Sequence, residues 1–248
     1  MKKNTQLKTS EVIRSILMTH EEIESITIRE FPPPAEFQFR FSPDDNDQEL
    51  IKRGMALRES TRLPFPDAII ATALTEGKPS IGFLQALGYR NQEGTSYFLP
   101  RCDVLEGRLA AIEIQSRMPE FVGLSSLVSV GRKKELHIPQ LDFHIPVSDR
   151  SLDLVERILQ LIAPSDGWIL DSGKSYHFWG NTLIEEELML RFLSLSLLYA
   201  PFTDKNWISH QILKRACTLR LFGNPRTGAP APVVVRELSR TPKAIQLL

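Results

Sequence analysis

The chain has 248 residues, 42% of them apolar and 24% charged, the proportions of an ordinary globular protein with enough apolar material for a substantial core. Its 30 Lys/Arg balance 30 Asp/Glu, which excludes a wholly basic nucleic-acid binder. No apolar run approaches the roughly 18–20 residues of a membrane span, the start "MKKNTQLKTSEVIRS" lacks the apolar core of a signal peptide, and Cys102 and Cys217 are too few for a disulfide framework or a cysteine metal site. A soluble cytoplasmic protein is expected. The charge is nevertheless uneven: residues 1–50 hold six Lys/Arg against ten Asp/Glu, whereas residues 201–248 hold eight Lys/Arg against Asp204 and Glu237. A basic C-terminal segment suits either a local phosphate site or a solvated surface.

In chain order, "TSEVIRSILMTHEEIESI" reads as an amphipathic helix opened by Thr9 or Ser10. The proline run in "FPPPAEF", residues 31–37, marks a linker or an edge. "SPDDNDQELIKRGMALRES" reads as a second helix capped near Asp45 or Asn46, and "LPFPDAIIATALTEGKPSIG" as a compact apolar helix led by Pro66 and Asp67. A helix then runs through Gly88 towards a strand at Ser96 to Leu99, and "EGRLAAIEIQSRMPEF" is ambiguous between helix and strand. "FVGLSSLVSVG" and "KELHIPQLDFHIPVS" predict strands, the latter interrupted by Pro139. "SDRSLDLVERILQLIA" is a helix capped by Ser148 or Asp149 with Leu152, Val155, Leu159 and Ile162 on one stripe. "GWILDSGKSYHFWG" predicts strand, tight turn, strand. Helices follow at "TLIEEELMLRFLSLSLL" and "DKNWISHQILK", then strands at "CTLRLF" and "APVVVREL". Strands interleaved with helices from 120 to 238 indicate an α+β fold with its chemistry on one sheet face.

Strand side chains alternate with a period of two, so Asp142 and His144 share a face, as do Ser175 and His177. A carboxylate beside an imidazole suits a divalent ion, and small polar residues with a lysine and a histidine after a glycine turn suit a phosphate. A plain β-hairpin needs Gly173 but has no use for Lys174, Ser175 and His177 together. Tyr176, Phe178, Trp179 and Trp207 beside these residues suit either base stacking or core packing.

"SGKSYH", residues 172–177, resembles the second motif of the archaeo-eukaryotic primase-polymerase superfamily, a Ser-Gly-basic-Gly-x-His stretch that holds the incoming nucleotide's phosphates. "LDFH" occupies the place of that family's first motif, "LRLFGNPRTGAPAPVVV" resembles the basic strand and loop after its third, and "FLQALGY", residues 83–89, is similar to the opening helix of plasmid-type members. The resemblance spans roughly 83–238 by order of motifs. It implies an RRM-like catalytic sheet with helices packed on one face, plus a smaller helical N-terminal region. Carried over, Asp142 becomes a metal ligand and catalytic residue. Ser172, Gly173, Lys174, Ser175 and His177 become phosphate ligands, with His177 also catalytic. Arg220 and Arg226 face nucleotide or template phosphates. His144 stands where the family has a second acidic residue, and Asp204, which opens a helix, is the nearest candidate for the acid of the third motif. An aspartate with a histidine is a poorer cradle for Mg²⁺ than for Mn²⁺, which tolerates imidazole better.

These readings give expected domains at 1–80, mostly helical, and 81–240, primase-like, with a tail at 241–248. The expected function is a primase-polymerase-like nucleotidyltransferase using a nucleoside triphosphate, a divalent ion (Mg²⁺ or Mn²⁺) and a DNA or RNA strand, with no membrane partner. One alternative is a degenerate module that binds nucleotide or nucleic acid without turnover. Another is a metal-dependent nuclease using Asp67 with Asp142, because residues 63–82 resemble the late helix of PIN-type nucleases.

Overall fold

The β-branched Ile26, Thr27 and Ile28 favour an extended chain, and they end the first helix early. In the computed structural model, which describes residues 7–31, 45–63, 65–76, 95–116, 121–131, 134–223, 228 and 230–239, helix α1 spans Thr9–Thr19 and closes at His20, whose backbone N–H donates to Ile16 O. The helix expected to continue to residue 26 gives way to strand β1, Ile23–Glu30. The ambiguous stretch after strand β2 (Thr95–Pro100) is helical: α4, Arg101–Leu105, and α5, Arg108–Gln115, are separated by Gly107 at φ +96°. The proline run beyond Phe31, Gly88, "FLQALGY" and the tail 241–248 lie outside the described residues.

Two antiparallel sheets form the body. The first has the order β2-β1-β3-β4, where β3 is Val122–Val130 and β4 Lys134–His137, and β8, Thr218–Arg220, also pairs with β3. The second has the order β5-β7-β6-β9: Gln140–Asp142, Tyr176–Gly180, Gly167–Asp171 and Val233–Leu238. Pro139, which has no N–H to give, separates β4 from β5 and sends the chain from one sheet to the other.

The alternation of the second sheet sorts its side chains cleanly. Leu141, Ile169, Tyr176 and Phe178 face a core shared with helices α6 (Asp149–Ile162), α7 (Glu186–Ser196) and α8 (Lys205–Lys214). The opposite face carries Asp142, His177, Leu170 and Trp179, and the last two join the core that packs α1 against the first sheet. α6 begins where its Ser148 cap lies, the hydroxyl accepting from Ser151 N at 3.2 Å. The α+β class with helices on one face of the second sheet is therefore present.

Contacts divide the chain into two compact units, Met1–Phe31 with Gly94–Leu248, and Pro32–Glu93. This division differs from a boundary at 80/81, because β1 is hydrogen-bonded on one side to β2 and on the other to β3. Residues 7–31 thus belong structurally to the main sheet. The second unit contains α2, Asp45–Thr61, and α3, Phe65–Glu76. They approach where Gly54 meets Ile69; a Cβ on Gly54 would lie 2.4 Å from the Ile69 side chain. No helix among the described residues is long and apolar enough to cross a membrane.

Candidate active site

The turn between β6 and β7 is built by its own small polar residues. Asp171 Oδ1 accepts from Gly173 N at 2.6 Å, and Ser175 O accepts from both the N–H (2.9 Å) and the hydroxyl (3.0 Å) of Ser172. Gly173 sits at φ +91°, a conformation that costs a side-chain-bearing residue about 1–2 kcal/mol. Ser175 Oγ donates to Phe143 O at 2.5 Å and accepts from Ile145 N at 3.1 Å. Both serine hydroxyl protons are thus committed to backbone carbonyls, and Ser175 fastens the turn to the segment after β5. Lys174 is exposed at the tip.

The register of β5 with β7 sets Asp142 opposite His177. Cross-strand partners share a face, and His177 Nε2 lies 3.7 Å from Asp142 Oδ1. The His177 side chain is only 7% exposed, and its Nδ1 is buried with no hydrogen-bond partner. Burial, reinforced by the charge of Arg220, pushes its pKa down to about 3, so the ring is neutral. Asp142 moves the other way: burial first, then the charge of Asp204, raises its carboxyl well above the usual range.

Asp204 reaches the site because residues 142–144 run beside 202–204. Asp204 N donates to Asp142 O at 3.1 Å, and His144 N to Phe202 O at 2.7 Å. One carboxylate oxygen of Asp204 caps α8, accepting from Trp207 N at 2.9 Å. The other lies 4.0 Å from Nδ1 of the exposed His144. Opening a helix and facing the site are therefore compatible for this residue. Phe143 between Asp142 and His144 is buried in the core, as the alternation requires.

Arg220 closes the far wall. Its NH2 donates to Ser172 O at 2.7 Å, and its NH1 to Pro230 O at 3.2 Å and to Phe222 O. Three carbonyls fix the guanidinium without neutralising it; burial lowers its pKa, and the charge of Asp142 opposes that shift. Asp142, His144, Ser172, Lys174, Ser175, His177, Asp204 and Arg220 all line one cavity of about 410 Å³, with Phe143, Ile145 and Pro146 completing its wall. Arg226 falls outside the described residues. Asp67 is on α3, in the unit of residues 32–93, whereas Asp142 is in the other unit.

One feature escaped the sequence. Asp171 is the residue that holds Gly173, a role signalled by Asp two positions before a turn glycine. The aromatics of "SYHFWG" are not available for stacking: Tyr176, Phe178 and Trp179 are buried in the two cores, and half-buried Trp207 donates its Nε1–H to Thr218 O at 3.1 Å.

A divalent ion fits the donor chemistry of this corner. Burial and the charge of Asp204 make the ionised form of Asp142 costly, a cost that a cation would relieve, and Asp142 and Asp204 supply oxygen, the donor hard ions prefer. Among the described residues no cluster of three or more His, Cys, Asp or Glu is formed, so an ion held here would keep several waters. An antiparallel sheet thus bears an acidic corner beside a basic turn within one cavity. Residues 106–233, just over half of the chain, match the family model described as archaeo-eukaryotic primase 1D-like, AEP-like, and the chain belongs to that family of primase-type nucleotidyltransferases. No curated protein matches the chain significantly, and neither does any solved structure.

Proposed function

We propose that this cavity binds a nucleoside triphosphate with a divalent ion and transfers its nucleotidyl group to a nucleic-acid strand. The observation that carries the reading is the meeting of opposite chemistries within one cavity. The acidic corner of Asp142 and Asp204 faces Lys174 and Arg220, which have the charge to hold a polyphosphate. Asp142 and Asp204 would hold the ion, with His144 at its margin. The ion would neutralise charge developing on the phosphoryl oxygens.

The remaining tasks belong to the chain itself. Lys174 at the turn tip and Arg220 on the wall grip phosphate oxygens. Gly173 keeps the tip bare so that the phosphates approach the backbone. The neutral imidazole of His177 can donate a hydrogen bond without repelling either Arg220 or an ion. The buried Phe143 and half-buried Ile145 side of the cavity excludes water from one flank.

Equilibrium triphosphate binding in the presence and absence of Mn²⁺ tests this assignment. Wild type should bind tighter with the ion. Lys174→Ala should weaken binding about tenfold, the scale of one lost charge-assisted contact, and Asp142→Asn should abolish the ion dependence. Ion-independent binding that ignores both substitutions would refute it. A second reading, binding without turnover, is favoured by one observation: His144 stands where a further carboxylate would complete the ion's cradle, leaving two acids there.

A further inference from the structure

Beyond the cavity, the face of the first sheet that turns away from its core is polar; Thr27, Gly123 and Ser125 on it are buried, and the half-buried Arg29 beside them has no assigned use. The register sets Arg29 of β1 opposite Gly123 of β3, and Gly123 opposite Arg220 of β8. Directly paired residues project from the same face, so the two arginines stand in one row, about 10 Å apart across two strand spacings. The neighbouring row, Ile28, Leu124 and Leu219, points into the core instead.

Arg29 has no ion pair among the described residues, and its Nε is buried without a hydrogen-bond partner. Lys214, in the last turn of α8, is likewise without an acid and near enough to Arg29 to feel its charge. Burial lowers the pKa of both groups, and that of Lys214 is lowered further by Arg29. Thr27, Ser96, Ser125 and Thr218 share the face and carry no charge. Two partly desolvated cations with no carboxylate between them call for an anion.

Aromatic rings interleave with these cations. Phe98 pairs with Thr27 two positions along from the pairing of Ser96 with Arg29, so its ring stands on the same face, and it is 68% exposed. Phe31 lies over Gly123, where an added Cβ would come within 3.4 Å of its ring. Cations beside an exposed ring, Phe98, and a half-buried one, Phe31, suit a chain of phosphates and bases.

We propose that this face is the track for the single-stranded nucleic acid, with Arg29 and Lys214 holding a backbone phosphate, Phe98 stacking on a base, and Arg220 marking where the strand reaches the cavity. The inference rests on the reading of the cavity as a nucleotidyl-transfer site and extends it from the triphosphate to the strand.

The test is fluorescence anisotropy of labelled single-stranded oligonucleotides, one DNA and one RNA, titrated at several salt concentrations. Triphosphate binding is measured on the same proteins. Lys214→Gln and Arg29→Gln should each weaken oligonucleotide binding about tenfold at low salt and reduce the slope of log K against log salt by about 0.7, as for one phosphate contact on a single strand. Phe98→Ala, at an exposed edge position, should weaken it at least about fivefold with the slope unchanged. All three should leave triphosphate affinity intact, which also shows that they fold. Oligonucleotide affinity and slope unchanged in Lys214→Gln and Phe98→Ala would overturn the track, as would a wild type that binds neither oligonucleotide. Failure of triphosphate binding in wild type would instead remove the cavity reading, a separate outcome. Unequal affinity of the DNA and RNA arms would tell which strand the track takes.

Discussion

His177 and Asp142 are cross-strand partners with opposite departures from ordinary protonation. The imidazole resists gaining a proton and the carboxyl resists losing one. A histidine with its folded pKa near 3 and its unfolded value near 6.5 stabilises the fold above pH 6.5, and that contribution is lost as pH falls towards 3. At pH 5 the loss is about 2 kcal/mol relative to pH 7.5. Asp142 has the other sign: its raised pKa means that stability falls as pH rises through the folded value. Urea unfolding of wild type and His177→Gln at pH 7.5 and 5 should therefore differ, the variant lacking about 2 kcal/mol of acid destabilisation. Equal pH dependence would show that His177 is not buried neutral. At this scale much of the site was legible. Its polar residues lie in four short stretches, "LDFH", "DSGKSYH", "FTD" and "TLRLF", whose chemistry is written in residue type and spacing. What spacing does not encode is hydrogen-bond direction, so the commitment of Ser172 and Ser175 to backbone carbonyls emerged only from the fold, which also decided for core packing over stacking at Tyr176 and Trp179.

Among the elements, the β6–β7 hairpin sets the geometry of the site. Gly173→Ala, forced to φ +91°, should cost about 1–2 kcal/mol in urea unfolding. Because the same turn carries Lys174, triphosphate affinity should fall with it. At the other end of the hairpin a Cβ on Gly167 would lie 2.1 Å from Trp179 O. Gly167→Ala should therefore cost about 3 kcal/mol while leaving the turn's local geometry alone. An unaltered affinity in Gly173→Ala would detach the turn from phosphate binding. The hairpin was readable because a Gly-containing turn between two apolar runs is a local signal. β1 was not, because "EEIESITIRE" continues the helical spacing of α1 for a few residues. Its strand character comes from pairing with β2, some seventy residues downstream, and with β3, about a hundred downstream, and no local window contains those partners.

For the whole molecule, the placement of β1 decides what can be cut away. A fragment starting at residue 81 keeps every residue that lines the cavity yet loses the strand between β2 and β3 together with α1, whose Val12, Ile13, Ile16 and Leu17 fill the first core. Such a fragment should lack cooperative unfolding and near-ultraviolet circular dichroism; a well-folded one would show that the first sheet closes without β1. The order of motifs along residues 106–233 was readable as a family, whereas the assembly of two sheets around one cavity depended on long-range pairing. The central claim is nucleotidyl transfer at the Asp142–Asp204 corner, and labelled-nucleotide incorporation tests it most directly. The assay would use primed and unprimed templates, with Mg²⁺ and with Mn²⁺, for wild type and Asp142→Asn. Incorporation by wild type that falls at least about a thousandfold in Asp142→Asn is the predicted result, since the substitution removes a charge that holds the ion. Incorporation that survives the substitution would contradict the placement of the site, and none from folded wild type with either ion would leave a protein that binds nucleotide without turning it over.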